Sequence, residues 1–235
     1  MTTTRGHSFG GFPGVITALV IAASVLATGC EQLEYRPYAV GKEGEIVIVT
    51  DSARWAGPVG DAIREHVAPY LGTLPAPERE FTLRRVSLTT PRMVDLVRKQ
   101  KNVIVAAPLG DSTREANFLR SRLDSAAVQA VLGGEAGVVS RADLWRQDQQ
   151  IVYVLAPDDD RLVEVIAERG EDLRYTFNRV TRERLTKEMF EKGRQPGIEQ
   201  EMMERHGFAV NVQHDYFTAV DTTNFLWLRR VVTSE

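Results

Sequence analysis

From Glu45 onward the apolar positions follow two periods. Ile46-Val47-Ile48-Val49, Val103-Ile104-Val105-Ala106-Ala107 and Ile151-Val152-Tyr153-Val154-Leu155-Ala156 run on without alternation, as strands covered on both faces do. Phe81–Ser87 alternates imperfectly, which predicts a half-exposed edge strand. Between the strands the spacing turns helical. Pro58 opens a stripe of Val59, Ile63 and Val67, with Ala62 and Tyr70 beside it, and Pro58 suits a first helical turn. Met93, Val94, Leu96 and Val97 mark a short helix, and residues 114–131 read as one helix closed by Gly133-Gly134. Asp158-Asp159-Asp160 supplies a cap and a negative first turn for the longest pattern, Leu162–Met189, where Gly170 marks a bend or break. A short helix over 196–205 follows. The chain then finishes with strands at Phe208–Val212, Tyr216–Val220 and Phe225–Val232, the last two joined by the tight-turn sequence Asp221-Thr222-Thr223-Asn224. Early alternation of strand and helix with strands bunched at the end predicts an α+β fold, a mixed β-sheet with helices packed mainly on one face and a terminal β-hairpin.

The first 30 residues follow neither period. Arg5 precedes an apolar run, Val15–Leu26, that ends in Ala27-Thr28-Gly29-Cys30. A positive end, a short apolar core and small residues are the layout of a secretory signal peptide, and the run is shorter than the roughly 20 residues that span a bilayer core. Gly29 before the chain's single cysteine resembles the lipobox of bacterial lipoproteins, with Ala27 where leucine is most common and Leu26 one place early. That resemblance implies lipidation of Cys30 and removal of residues 1–29, with membrane attachment through the lipid. An uncleaved anchor helix, or a secreted protein whose Cys30 is incidental, would carry the same layout. Residues 30–40, polar and without a period, read as a tether, and 41–235 as a single α+β domain.

Composition narrows the function classes. Without Arg5 the chain keeps 28 basic residues against 32 acidic ones, so it lacks the basic excess of a general nucleic-acid binder. One cysteine rules out an internal disulfide and a cysteine-based zinc cluster. His206 and His214, with Asp215, fit no zinc spacing. The one Gly-x-Ser-x-Gly match, Gly6-His7-Ser8-Phe9-Gly10, lies ahead of the apolar run rather than between a strand and a helix; from Cys30 on no such elbow is present, and the chain has no phosphate loop. No catalytic residue, metal or cofactor is assigned.

The candidate binding residues are few. Asp51 and Ser52 end a buried strand just ahead of a helix N-terminus, where open α/β sheets bind ligands, though both also suit a turn that satisfies its own backbone. Trp55, in the same stretch, is placed to stack on a ligand or to fold back as a core lid. Trp227 sits in an apolar terminal strand, Phe225–Leu228, open to addition of another strand. The expected activity is that of a non-enzymatic binding or assembly module. The alternative is a periplasm-facing hydrolase or glycan-processing enzyme using Asp51 with Asp61 or Glu78.

Several short pieces in order resemble an uncharacterised domain-of-unknown-function family of Bacteroidetes-type bacterial lipoproteins. They are Gly41-Lys42-Glu43-Gly44-Glu45, Asp51 with Trp55, Gly60-Asp61, Leu74-Pro75-Ala76-Pro77-Glu78, Asn102-Val103-Ile104, Asp143-Leu144-Trp145 and Asn224-Phe225-Leu226-Trp227-Leu228-Arg229-Arg230. The resemblance implies a cell-envelope lipoprotein with no assigned catalytic residues. Family members continue past the Trp-Leu-Arg-Arg segment, so a separately encoded second half, or another envelope protein, is an expected partner. Glu31 after the cysteine, in place of an aspartate, favours the outer over the inner membrane.

Overall fold

In the computed structural model, residues 35–73 and 75–230 are described. The signal segment and Cys30 lie outside them, as do Leu74 and the last two residues expected in the terminal strand, Val231 and Val232. The elements are β1 (Glu45–Val49), α1 (Ser52–Ala56), α2 (Pro58–Ala62) running into a π-helical turn (Ile63–Val67), β2 (Thr82–Val86), α3 (Pro91–Arg98), β3 (Asn102–Pro108), α4 (Arg114–Arg120), α5 (Ser125–Leu132), β4 (Gly137–Ala142), β5 (Gln150–Ala156), α6 (Asp159–Met189), α7 (Pro196–His206), β6 (Tyr216–Thr222) and β7 (Phe225–Arg230). Five strands form one sheet in the order β2-β1-β3-β5-β4. The first four are mutually parallel, and β4 runs antiparallel to β5. β6 and β7 form a separate antiparallel pair.

The α+β architecture, the mixed sheet and the terminal hairpin are those the pattern predicts, and β2 is the expected edge strand. The helices, however, cover both faces of the sheet. Side chains alternate along a strand, so Ile46, Ile48, Ile104, Ala106, Val152 and Val154 meet α2, its π turn and α6 on one face. Val47, Val49, Val103, Val105, Ile151 and Tyr153 meet α3, α4 and α5 on the other. Every residue of β3 and β5 is buried, which is why their sequences are apolar without a period.

Four further expectations change. The single helix over 114–131 is two, because Asp124 accepts a hydrogen bond from the Ala127 amide at 2.8 Å and starts a new N-terminus. Gly133-Gly134-Glu135-Ala136-Gly137, which by its glycines after a helix reads as a flexible connection, leads into β4, whose sequence is weakly apolar and whose C-terminal half is exposed; pairing with β5 makes it a strand. Residues 208–212 are not a strand. α6 passes through Gly170 without a break: a Cβ there would lie 2.6 Å from His66 Cβ and 2.8 Å from the His66 carbonyl, so glycine is required by the close approach of the π turn.

The tether is shorter than its composition suggests. The Ala39 amide donates to the Gln147 carbonyl (2.9 Å), the Val40 amide to the Lys99 carbonyl (2.7 Å) and the Lys101 amide to the Val40 carbonyl (3.0 Å), and Ala39 is buried. Pro37–Val40 is thus part of the fold, seated beside the N-terminal ends of β3 and β5.

Candidate functional site

The connections decide where a site forms. From β1 the chain turns into α1 and α2 on one face, whereas from β3 it turns into α4 and α5 on the other. Loops leaving adjacent parallel strands toward opposite faces open a crevice at the strands' C-terminal ends. A cavity of 430 Å³ lies there, lined by the loops after β1, β3 and β5.

Arg54 of α1 sits at its centre with a side chain only 13% exposed. Its guanidinium contacts three carboxylates, one from each loop: Nη1 to Asp51 Oδ2 at 2.6 Å, Nη2 to Asp111 Oδ2 at 2.5 Å and Nε to Asp159 Oδ1 at 2.5 Å. The remaining carboxylate oxygens are also engaged. Asp51 Oδ1 accepts the amides of Ala53 (2.9 Å) and Arg54 (3.0 Å) and so caps α1; Asp111 Oδ1 accepts the Ser112 amide (2.5 Å); Asp159 Oδ2 accepts Arg54 Nη2 (3.3 Å). With Asp160, the lining holds four carboxylates against one guanidinium, a net charge of −3.

Burial alone would lower the Arg54 pKa, but hydrogen bonds to Asp159, Asp111 and Asp51 reverse this and hold it above its ordinary value. Burial would likewise raise Asp51, yet the Arg54 amide and guanidinium outweigh it and keep its carboxyl below the usual range. Asp111 is lowered chiefly by the Arg54 hydrogen bond. General acid catalysis near neutrality needs a carboxyl pushed upward; these two are pushed the other way.

Of the candidate binding residues Asp51, Ser52, Trp55 and Trp227, Asp51 alone lines this cavity. Ser52 is exposed on α1 outside the lining. Trp55 packs on the core layer of the first face with the Arg64 guanidinium 4.6 Å from its ring centroid, the core-lid alternative, and Gly60 fits beneath it because a Cβ would collide with the Trp55 carbonyl. Trp227 lies in the separate hairpin, 47% exposed. The expected carboxylate pairs are not assembled: Asp61 binds Arg64 at 2.7 Å and lines a different depression, and Glu78 does not line the cavity. His206 pairs with Asp221 at 2.7 Å while Asp215 lies 3.5 Å from Arg230, so the two histidines share no ligand set. Among the described residues no group of three or more His, Cys, Asp or Glu is placed to hold a metal ion.

The residues missed were Arg54, Asp111 and Asp159. A signal existed: aspartates follow each of three buried strands within a few residues, at Asp51, Asp111 and Asp158–Asp160.

A larger cavity, 870 Å³, lies at the opposite end of the sheet between Tyr38, Glu43, Lys101 and the C-terminal turns of α6. Its most buried charge, Arg184, donates to the carbonyls of Val180 and Asp148 (both 3.1 Å) and to Asn102 Oδ1 (2.5 Å). Burial there lowers the Arg184 pKa despite Glu43 and Asp148 nearby. Its charges balance within the lining, and its elements tie the first strand's lead-in to α6.

No curated protein and no solved structure matches the chain. The family described as a domain of unknown function, DUF8532, matches residues 39–190, from the docked lead-in through the end of α6, and therefore contains the whole five-stranded sheet and the Arg54 cluster. α7 and the terminal hairpin, including the Asn224–Arg230 piece of the resemblance, lie beyond the matched segment. On that match, which covers well over half of its residues, this chain belongs to the DUF8532 family.

Proposed function

We propose that this protein is a cell-envelope lipoprotein of the Bacteroidetes-type group its sequence resembles, anchored through Cys30 and acting as a non-enzymatic binding or assembly module. The observation that carries the non-enzymatic part is the Arg54 cluster. At the position where a parallel sheet offers its ligand crevice, every carboxylate oxygen of Asp51, Asp111 and Asp159 already accepts a hydrogen bond. Such a cluster holds three loops in register as a rigid platform and leaves none of these three carboxyls free to carry a proton near neutrality, as a hydrolase would need; Asp160, the remaining carboxylate of the lining, is exposed in the first turn of α6. The lipobox-like Gly29-Cys30 supports the anchoring. Among the described residues no helix is long and apolar enough to cross a membrane; the attachment on this reading is the lipid on Cys30. Dual or triple acylation gives stable attachment where one chain gives only marginal binding.

The test is fractionation. The wild-type chain is expected in the membrane fraction, extracted only by detergent, and Cys30→Ser is expected to stay unprocessed or to appear in the soluble fraction. Wild-type protein found free in the periplasm would refute the anchor. The outer membrane is the expected location, with another envelope protein as partner.

A further inference from the structure

We propose that the outward face of the β6–β7 hairpin rests on the lipid surface to which the chain is tethered, giving the protein a second, non-covalent membrane contact. This rests on the anchored reading above.

The hairpin carries an apolar face that its own fold leaves uncovered. Residues directly opposite in an antiparallel pair share a face, and the register sets Phe217 opposite Arg229, Val220 opposite Trp227 and Thr222 opposite Phe225, with a bulge between Thr218 and Val220. On this face Phe217, Val220, Phe225 and Trp227 are 39%, 38%, 57% and 47% exposed. The opposite face is the inner one: Leu226 and Leu228 are half-buried, and Asp221 is held by Arg205 and His206 of α7. A two-stranded hairpin is marginal in water unless its apolar side is covered. Seven of the 17 large apolar side chains that are exposed among the described residues fall between Met203 and Trp227, so exposure is concentrated in this one module.

Three observations select lipid as the cover. The first is chemistry: three aromatic rings are combined with Arg229, whose guanidinium lies 5.1 Å from the Phe217 centroid and which pairs with no carboxylate among the described residues. Aromatic rings flanked by arginine suit the headgroup level of a bilayer, where the ring is half-buried and the cation meets anionic lipid. The second is position. The chain enters the fold at Pro37–Val40, beside the N-terminal ends of β3 and β5, and the C-terminal end of α6 lies at that same end: Arg184 binds Asn102, and Lys187 stands 5.5 Å from the Tyr38 ring centroid. The hairpin is rooted there too, since Gln213 donates to the Met189 carbonyl (3.1 Å) and Gln195 to the Tyr216 carbonyl (3.3 Å). The third is reach. The seven residues from Cys30 to Pro37 span at most about 25 Å, and a hairpin strand of six or seven residues extends about 20 Å, so the tether holds the hairpin within range of the surface. Four side chains fall well short of the roughly 800 Å² per partner of a stable protein interface, which disfavours a second copy as the occupant. The Arg54 cavity, at the opposite end of the strands, then faces away from the lipid.

Cys30 is the only cysteine, so acylation leaves the full-length processed protein without a free thiol and a new one is labelled alone. Trp227→Cys, with Phe225→Cys as a second position and Ser112→Cys in the loop after β3 as reference, would each carry an environment-sensitive fluorophore. The proteins are reconstituted into phosphatidylethanolamine–phosphatidylglycerol vesicles with bromine near the headgroup end of the acyl chains. Labels at 227 and 225 are expected to lose most of their emission relative to non-brominated vesicles, while the label at 112 is unchanged. Vesicle-bound protein whose 227 and 225 labels are unquenched overturns the hairpin contact and leaves the anchor standing; if those labels are also shielded from aqueous iodide, a protein is the cover instead. Protein that does not float with the vesicles, or that labels at Cys30, overturns the anchor and the hairpin contact with it.

Discussion

Replacing Arg54 by Met removes the charge that holds three loops while keeping most of the side chain's volume. A fully buried pair broken on one side costs about 3–5 kcal/mol, and an exposed pair contributes under about 1 kcal/mol. Arg54 is 13% exposed, but its partners Asp51, Asp111 and Asp159 are 23%, 30% and 51% exposed, so water screens the carboxylates left behind. An intermediate loss of about 2–3 kcal/mol follows, and for a chain of this size that lowers Tm by roughly 4–12 °C. The pH dependence separates a charge effect from lost packing. Asp51 and Asp111 have folded-state pKa values below the ordinary 3.8, so their stabilisation is present above that value and is lost as pH falls through the lower folded values. In Arg54→Met the same carboxylates repel one another and protonate more readily, so acid should shrink the difference between variant and wild type. Urea denaturation of the chain from residue 31, at pH 7 and at about pH 3.5, measures both. A variant as stable as wild type at pH 7, or an equal loss at both pH values, would refute the argument that charge holds the loops.

Two glycines on helices give opposite expectations from the same substitution. Gly197→Ala in α7, with open space around it, should stabilise by up to about 1 kcal/mol, whereas Gly170→Ala in α6 should destabilise by about 1–3 kcal/mol because backbone atoms of His66 block the new methyl group; equal denaturation midpoints for the two variants would contradict this. Tyr153→Phe should be neutral or stabilising by up to about 1 kcal/mol, since its buried hydroxyl has no hydrogen-bond partner among the described residues, and a clear loss of stability in a thermal melt would show that the hydroxyl is satisfied in solution.

The sequence by itself determined the elements whose burial leaves a local record. β1, β3 and β5 are covered on both faces and read as continuous apolar runs; α6 carries a helical stripe, and Asp158 caps it through the Arg161 amide at 2.9 Å. The terminal hairpin was marked by its tight-turn sequence, and Asp51 by its place after a buried strand. Only the tertiary structure decided what depends on partners distant along the chain. β4 is a strand because β5 lies beside it, Pro37–Val40 is ordered because the loops before β3 and β5 accept it, and helices reach both sheet faces because of strand order, which no local period encodes. Nothing in its local sequence sets Arg54 apart from the other charged residues. Its partners Asp111 and Asp159 stand 57 and 105 residues further along, and the site exists only where parallel pairing brings the ends of β1, β3 and β5 side by side.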